Sequence, residues 1–415
     1  MRIVIATAVY YPMINGVAVF SHNLAMGLAK RGHEVMVICP SQTGKNYTRT
    51  EDGVKVAHLK SIEIKVYPDQ IHDVPPKKRL FGRELPRVFY KDSFRVSAFP
   101  AREVRRVLNS FRPDIVHVQV SDPIGLSVVS YARKKNIPVV TTEHNQPEVL
   151  TDPLKMPGVI KKPVNAVLSS YFRSRQNKSD FVTMPTQRAI DHLTAGHKFD
   201  APIVAVSNGV DISDFKPGKA AARIYKKYGL PNNKPIVLYV GRVDPEKKVG
   251  LVLSAFKKTL EEVPDAVLVI VGDGVDKIRL GSEASRLGIG MNVRFLGRVM
   301  PPDLYEVYKI GDVFATASEI ETQGIVLIEA AATGLPLIAV NKGAVAEVCK
   351  NDENGFLCKP GDVKAISEAM IKILTDKKLR EKFSKKSIEI ASEHDFNKTL
   401  DRFINIYNIV LRPKS

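Results

Sequence analysis

Short runs of apolar, often β-branched residues recur along the chain and alternate with stretches of helical periodicity. In the first half these runs occupy residues 3–8, 35–39, 115–118, 139–142 and 182–184. The pattern restarts in the second half, at residues 236–240, 266–271, 293–296, 313–315 and 337–340. Buried strands that alternate with helices form βαβ units around a mostly parallel sheet. The pattern therefore predicts an α/β protein with two doubly wound, parallel-sheet domains.

The boundary between the two predicted domains lies near residues 200–207, where the strand pattern is interrupted. Loop signals follow at Asn208-Gly209 and Pro217-Gly218. We predict an N-terminal domain over residues 1–203 and a C-terminal domain over residues 204–395. Residues 396–411 carry apolar positions at helical spacing. The pattern leaves open whether this helix closes the second domain or returns to the first, and our predicted architecture packs residues 396–415 on the first.

The composition fits an ordinary globular protein, with 44% apolar and 26% charged residues in 415. Three cysteines without Cys-x-x-Cys spacing suggest neither a disulfide framework nor a zinc site, which favours the reducing cytoplasm. We find no apolar stretch long enough to span a bilayer, so we expect any membrane contact to be peripheral.

The net charge of +18 is concentrated in the first half of the chain. Residues 1–200 contain 30 Lys and Arg against 17 Asp and Glu, a net charge of +13, which leaves +5 for residues 201–415. A nucleic acid, an anionic lipid surface or a phosphorylated substrate fits such a basic domain.

Two glutamates, Glu321 and Glu329, lie eight positions apart around Gly324. The spacing predicts a loop that leads into a helix over residues 325–332. Helix N-terminal amides favour an anion such as a diphosphate, and a carboxylate two turns later is placed to bind ribose hydroxyls. On this pair alone, a surface glutamate before a core helix remains an alternative.

Polar side chains also follow other predicted strands, at the edge where open α/β sheets bind ligands. Gly16 lies in the turn after the first strand, and His144 follows the run that ends at residue 142. Arg242 and Lys247 follow the run 236–240, and two cations with a helix N-terminus neutralise a diphosphate without a metal ion. No Asp-x-Asp pair or His/Cys cluster is present in the sequence. We therefore expect no metal and no cofactor.

In this order, the motifs resemble those of the family 4 glycosyltransferases, retaining sugar-nucleotide enzymes with two Rossmann-like domains facing across a cleft, the GT-B fold. The resemblance extends over nearly the whole chain. The motifs are Asn15-Gly16, Ser207-Asn-Gly-Val-Asp211, Gly241-Arg242 to Lys247, Gly272-Asp-Gly274, Glu321 to Glu329, Gly334-Leu-Pro336 and Asn354-Gly-Phe356 to Pro360-Gly-Asp362.

The resemblance implies a role for each matching residue. The donor-binding positions are Gly16, Arg242, Lys247, Val299, Glu321, Gly324, Ile325, Val326 and Glu329. Among these, Arg242, Lys247 and the amides after Gly324 bind the diphosphate, Glu329 binds the ribose, Glu321 contacts the donor sugar, and the backbone at Val299 meets the base. The catalytic set is His144, Glu321, Arg242 and Lys247, with His144 near the transferred sugar. One departure is Asn15-Gly16, where the family commonly has Gly-Gly.

A basic and aromatic stretch in the first half is the candidate membrane contact, since cations suit lipid headgroups and apolar groups suit the layer below. Its residues are Lys77, Lys78, Arg79, Phe81, Arg83, Arg87, Phe89 and Lys91. A second candidate is the segment 159–178, for which a core-facing helix with an exposed basic face is the alternative.

The string Glu321-Thr-Gln-Gly324 is similar to the motif of bacterial diacylglycerol glucosyltransferases. This resemblance implies transfer of glucose from UDP-glucose, with an α linkage, to a lipid such as diacylglycerol at the inner face of the cell membrane. A soluble sugar, phosphatidylinositol or a polysaccharide precursor remain open as acceptors. Nucleic-acid binding is disfavoured because no nucleic-acid module is recognisable in the sequence.

Overall fold

A computed structural model describes residues 1–11, 13, 15–64, 70–72, 79–80, 83–84, 90–92, 95–120, 122–144, 158–195 and 200–412. The chain divides into two compact units. Unit 1 comprises Met1–Val206 and Leu400–Ser415, and unit 2 comprises Ser207–Thr399. Each unit is built on a mostly parallel sheet with helices, so the predicted α/β class with two Rossmann-like domains is confirmed.

The main sheet of unit 1 has eight strands in the order β14-β13-β12-β11-β1-β2-β4-β3. All neighbouring pairs are parallel except β3 and β4, which are antiparallel. The strands are β1 (Arg2–Ala6), β2 (Glu34–Pro40), β3 (Tyr47–Glu51), β4 (Val54–Leu59), β11 (Ile115–Val118), β12 (Val139–Thr142), β13 (Phe181–Met184) and β14 (Ile203–Ala205). Shorter antiparallel pairs are β5 (Ile62–Glu63) with β10 (Arg95–Val96), β6 (Gln70–His72) with β9 (Tyr90–Asp92), and β7 (Arg79–Leu80) with β8 (Arg83–Glu84).

Side-chain caps fix where several helices of unit 1 begin. The helices are α1 (Gly16–Lys30), α2 (Ala101–Phe111), α3 (Pro123–Lys134), α4 (Gly158–Gln176), α5 (Gln187–Thr194) and the larger part of α13 (Phe396–Leu411). Asn15 accepts a hydrogen bond from the Ala18 amide at 2.9 Å, and Asp122 accepts one from the Gly125 amide at 2.8 Å. Such caps satisfy amides that have no partner within the helix.

The last helix, α13, contributes buried residues to unit 1. Its Tyr407 hydroxyl lies 2.7 Å from Nδ1 of His117 on β11, and Nε2 of His117 lies 2.7 Å from the Thr142 hydroxyl on β12. Thr142 continues the chain of hydrogen bonds to Thr183 at 2.6 Å. This buried polar chain ties the final helix to three strands of unit 1.

Unit 2 contains a six-stranded, fully parallel sheet in the order β17-β16-β15-β18-β19-β20. The strands are β15 (Ile236–Val240), β16 (Val267–Val271), β17 (Val293–Gly297), β18 (Val313–Ala315), β19 (Leu337–Val340) and β20 (Gly355–Cys358). The helices are α6 (Ala222–Tyr228), α7 (Val249–Glu262), α8 (Lys277–Arg286), α9 (Asp303–Tyr308), α10 (Ile325–Ala332), α11 (Val363–Thr375) and α12 (Lys377–Ser392). Short 3-10 turns cover Pro245–Lys247, Gly290–Asn292 and Gly343–Glu347.

Both faces of the unit 2 sheet are buried. Ile236 and Leu238 of β15 pack into one apolar cluster, whereas Val237 and Tyr239 pack into another. Continuous apolar runs are the sequence signature of parallel strands covered on both faces. The loops after the strands therefore carry the polar chemistry of this unit.

None of the described helices is both long and apolar enough to cross a membrane.

Candidate active site

Two glycine loops in unit 2 lie against each other at the carboxyl ends of β15 and β16. The Val243 amide donates to the Asp273 carbonyl at 2.9 Å, and the Gly272 amide donates to the Gly297 carbonyl at 2.8 Å. Gly272 has φ +134, and a Cβ there would lie 1.8 Å from the Gly241 carbonyl oxygen. A close backbone contact, rather than a ligand, therefore accounts for this glycine.

The loop after β15 presents Arg242. The buried Tyr239 hydroxyl donates to the Arg242 carbonyl at 2.7 Å, which fixes the backbone at this point. The guanidinium is about half exposed, and it donates to Asp244 and, at 2.5 Å, to Glu246. Burial lowers the pKa of Arg242, but the Glu246 and Asp244 carboxylates outweigh it and raise the pKa above its ordinary value. Arg242 is thus a permanent cation.

Lys247 and Glu321 are brought into direct contact, although 74 positions separate them in the chain. Lys247 ends the 3-10 turn Pro245–Lys247, and its Nζ lies 2.6 Å from Oε1 of Glu321. Each side chain is only 17% exposed, so this ion pair is well shielded from solvent. The next residue, Lys248, pairs with Glu319, which also pairs with Lys342 at 2.7 Å.

The glutamate-containing loop leads into α10 through Gly324. Gly324 has the left-handed conformation, with φ +79 and ψ +56, and makes no side-chain cap. The amides of Ile325 and Val326 lie in the first turn, where a helix offers no internal acceptor. The positive end of the helix and these N–H groups favour an anion.

Gln323, inside this loop, is almost completely buried. Its Nε2 donates to the Ser207 hydroxyl at 2.5 Å, and its Oε1 accepts from the Asn208 amide at 3.1 Å. Both ends of the amide are therefore used within unit 2, and the side chain fixes the loop in place. No sequence pattern indicates this role, because the partners of Gln323 are more than a hundred positions away.

Glu329 lies on α10, where its Oε2 accepts a hydrogen bond from Tyr308 at 2.5 Å. Burial raises the pKa of Glu329 to about 7, although the hydrogen bond from Tyr308 opposes the rise. The side chain keeps part of its surface exposed. Val299 is buried in the apolar core, so only its backbone is suited to a polar contact.

Gly16 and His144 lie in unit 1. His144 follows β12, and its Nε2 is 2.8 Å from Oε1 of Gln119, a fully buried residue that the sequence did not indicate. Because an amide oxygen only accepts, Nε2 carries the proton and Nδ1 is an acceptor. Burial lowers the pKa of His144 to about 3, so the ring is neutral. Gly16 begins α1, and a Cβ there would meet nothing within 4 Å.

Five of the predicted membrane residues, Lys77, Lys78, Phe81, Arg87 and Phe89, lie outside the described residues. For Arg79, Arg83 and Lys91, the structure describes only backbone strands.

In the second candidate segment, α4 exposes apolar side chains. Val167 is 69% exposed and Tyr171 is 38% exposed, one helical turn apart. This face is therefore not covered by the described core.

Within the described part of the chain, no group of three His, Cys, Asp or Glu residues is arranged to hold a metal ion.

Comparison with known proteins matches both units to glycosyltransferase family models. A family model described as Glycosyltransferase Family 4 matches residues 14–214, and a model described as Glycosyl transferases group 1 matches residues 221–390. The chain is similar to the solved Anabaena HepE in complex with UDP and glucose, with a TM-score of 0.69 and 17% identity over 98% of this chain and 99% of that one.

Several relatives align over most of both chains. Alpha-monoglucosyldiacylglycerol synthase of Acholeplasma laidlawii is 26% identical over 86% of this chain and 84% of its own length. The enzyme of the same name from Streptococcus pneumoniae is 28% identical over 82% and 71%. N-acetyl-alpha-D-glucosaminyl L-malate synthase of Bacillus anthracis is 25% identical over 97% and 96%. The chain therefore belongs to the family 4 glycosyltransferases of the GT-B fold, and among them it resembles the diacylglycerol glucosyltransferases.

Proposed function

We propose that this protein is a retaining, metal-independent hexosyltransferase that moves glucose from UDP-glucose to a membrane lipid such as diacylglycerol, with an α linkage. The observation that carries the proposal is the group of cations and helix amides at one edge of unit 2. Arg242 and Lys247 lie on the loop after β15, and the loop after β18 ends at Gly324, directly before α10. Together they offer the charge that a diphosphate requires.

The proposed chemistry follows from where charge develops in the reaction. The bond between the sugar and the diphosphate breaks, and the acceptor hydroxyl attacks from the same face through an oxocarbenium-like state. Negative charge then grows on the departing diphosphate, where Arg242, Lys247 and the helix dipole stabilise it. In the proposed reaction these groups supply the positive charge without a divalent ion.

The remaining donor residues are assigned by their chemistry. Glu329 binds ribose hydroxyls as a carboxylate. Glu321 contacts the sugar hydroxyls while it holds Lys247. His144 is a neutral ring with a hydrogen-bond acceptor at Nδ1, which suits a sugar hydroxyl. The complex of HepE with UDP and glucose supports UDP-glucose as the first donor to test.

A lipid acceptor is supported by the relatives and by the surface of unit 1. Two relatives are named as alpha-monoglucosyldiacylglycerol synthases. Residues 1–200 carry a net charge of +13, which attracts anionic lipids, and within this half α4 exposes the apolar side chains of Val167 and Tyr171. We place the protein on the inner face of the cell membrane as a peripheral enzyme.

A soluble acceptor is the second candidate, and one relative favours it. The Bacillus anthracis protein, which aligns over nearly its whole length, is named for transfer to L-malate. A small hydroxy acid or sugar acceptor would need no apolar surface on unit 1, so the exposed face of α4 favours the lipid.

The decisive experiment offers labelled UDP-glucose, UDP-N-acetylglucosamine and GDP-mannose to the purified protein, with diacylglycerol vesicles or with L-malate as acceptor. Label from UDP-glucose in the organic phase supports the proposal, and an α anomeric proton in the product supports retention. Unchanged turnover in EDTA supports metal independence. Label only in the aqueous malate product would replace the lipid acceptor, and absence of any transfer or hydrolysis would overturn the proposal.

Membrane contact is tested separately by flotation with vesicles that contain phosphatidylglycerol. The double variant Val167→Ser with Tyr171→Ser should reduce flotation several-fold. Ile278→Ser is the matched control, because Ile278 is an apolar residue of unit 2 that is 85% exposed. Equal flotation of the double variant and the control would remove α4 from the proposal.

A further inference from the structure

Lys248 has a backbone conformation that a lysine rarely adopts. Its φ is +50 and its ψ is +36, the left-handed region that glycine occupies without strain. Its amide donates to the Pro245 carbonyl at 3.1 Å, and its carbonyl accepts from the Leu251 amide at 2.9 Å. Glycine would make both backbone bonds equally well, so these bonds alone do not account for a lysine at this position. Strained residues of this kind cluster at functional sites.

The Lys248 ammonium contacts the carboxylate of Glu319, on the loop after β18. The side chain of Glu319 is only 12% exposed, and it also accepts from Lys342 at 2.7 Å. Burial raises the pKa of Glu319, but the hydrogen bonds from Lys248 and Lys342 outweigh it and keep the pKa below its ordinary value. Glu319 is therefore an ionised group between two cations.

This ion group lies directly beside the donor-binding pair. The consecutive residues Lys247 and Lys248 hold the alternate carboxylates Glu321 and Glu319, so two ion pairs join the same two loops. A third loop takes part, because the Ala344 amide donates to the Glu321 carbonyl at 3.1 Å. The loops that follow β15, β18 and β19 are thus fixed to one another around Glu319 and Glu321.

We propose that Lys248 is a positioning residue, which acts through Glu319 to hold the loop carrying Glu321 against Lys247. The inference rests on the proposed function, in which Lys247 and Glu321 bind the donor. Lys248 itself does not touch the donor. Its side chain sets the separation of two loops, and the left-handed backbone at residue 248 aims the ammonium at Glu319.

The test measures UDP binding by calorimetry and asks whether removal of the Glu319 charge strengthens or weakens it. If Lys248 were a simple phosphate-binding cation, Glu319→Gln would remove a competing anion and tighten UDP binding. If Lys248 positions the loop through Glu319, Glu319→Gln and Lys248→Gly should each weaken UDP binding, by roughly fivefold to tenfold. The double variant should then be no weaker than the single variants, since they break one linkage. Tighter binding by Glu319→Gln overturns the inference.

Melting temperatures separate positioning from stability. Lys248→Gly should melt within roughly 2 °C of the unmodified protein, because relief of the backbone strain offsets the lost ion pair. Lys248→Arg should retain UDP affinity, since it keeps a cation at the same position. Arg112→Gly is the matched control, because Arg112 is a basic residue of unit 1 with a similar backbone conformation, φ +51. The UDP affinity of this variant should equal that of the unmodified protein. Failure of Lys248→Gly to fold would assign the side chain to stability and overturn the inference.

The outcome also distinguishes this inference from the proposed function. If the unmodified protein neither binds UDP nor transfers glucose, both are wrong. If it binds UDP and transfers glucose while Lys248→Gly and Glu319→Gln leave both unchanged, only the role of Lys248 is wrong.

Discussion

Replacement of Glu329 by glutamine should stabilise unit 2 above neutral pH and leave its stability unchanged in acid. The folded protein raises the pKa of Glu329 from 4.5 to about 7 because burial disfavours the carboxylate. A carboxyl group with a raised pKa contributes its stability fully below the unfolded pKa, and the contribution is lost as the pH rises through the folded pKa. The stability contributed by Glu329 is therefore lost between pH 4.5 and about pH 7. Glutamine stays neutral throughout and retains an oxygen that accepts from Tyr308.

The expected magnitude follows from the interval between the two pKa values. At about 1.4 kcal/mol for each pH unit, ionisation of Glu329 costs the folded state at most about 3.5 kcal/mol. The side chain keeps part of its surface in water, which reduces the cost to about 1–2 kcal/mol. The variant should then melt higher than the unmodified protein at about pH 8, by roughly 2–4 °C for each kcal/mol.

Thermal unfolding followed by circular dichroism at about pH 4 and about pH 8 measures the difference. Glu381→Gln is the control, since its carboxylate on α12 is 63% exposed. UDP-glucose affinity at the higher pH should fall in Glu329→Gln, because an amide replaces the carboxylate proposed to bind the ribose. A variant that is less stable at about pH 8, or equally shifted at both pH values, would refute the reasoning.

Three further predictions test individual residues. Gly16→Ala should leave the melting temperature unchanged, because its Cβ meets nothing within 4 Å, while calorimetry should show UDP-glucose affinity falling if a phosphate approaches this backbone. Arg242→Ala and Lys247→Ala should each slow glucose transfer roughly 100-fold with little loss of folded protein by circular dichroism, and normal turnover would remove their assignment. Gly272→Ala should lower the melting temperature by several degrees or prevent folding, because its Cβ would lie 1.8 Å from the Gly241 carbonyl, and a normal melting curve would contradict this contact.

Most of the parallel strands were predictable because they are apolar runs, the pattern of strands covered on both faces. Val267–Val271, for example, consists entirely of buried aliphatic residues. Strands with other patterns were not predicted. Tyr47–Glu51 is polar and lies at the edge of its sheet, and Gly355–Cys358 directly follows Asn354, so its first residue belongs to an Asn-Gly pair that indicates a turn. Local pattern therefore identifies the centre of each sheet better than its edges.

The chemistry of the site was only partly predictable, for a related reason. Arg242, Lys247 and Glu321 are charged residues in the loops and turns after strands, and Glu329 lies on the helix that follows such a loop, so residue type and position indicated all four. Their partners are set by contacts distant in sequence, as between Tyr308 and Glu329 or between Gln119 and His144. The inferred role of Lys248 likewise depends on a backbone angle that no residue pattern specifies.

The backbone contact between the loops of Gly241 and Gly272 limits how this protein can change during evolution. At Gly272 the obstacle to a side chain is a carbonyl oxygen of the main chain, so a second substitution elsewhere offers no relief. At Gly241 the nearest atom is the Tyr239 hydroxyl, at 3.0 Å, but φ is +154, so a side chain there is strained even where residue 239 changes. Descendants of this sequence should therefore retain Gly272 in every genetic background, and they should retain Gly241 even where residue 239 has changed.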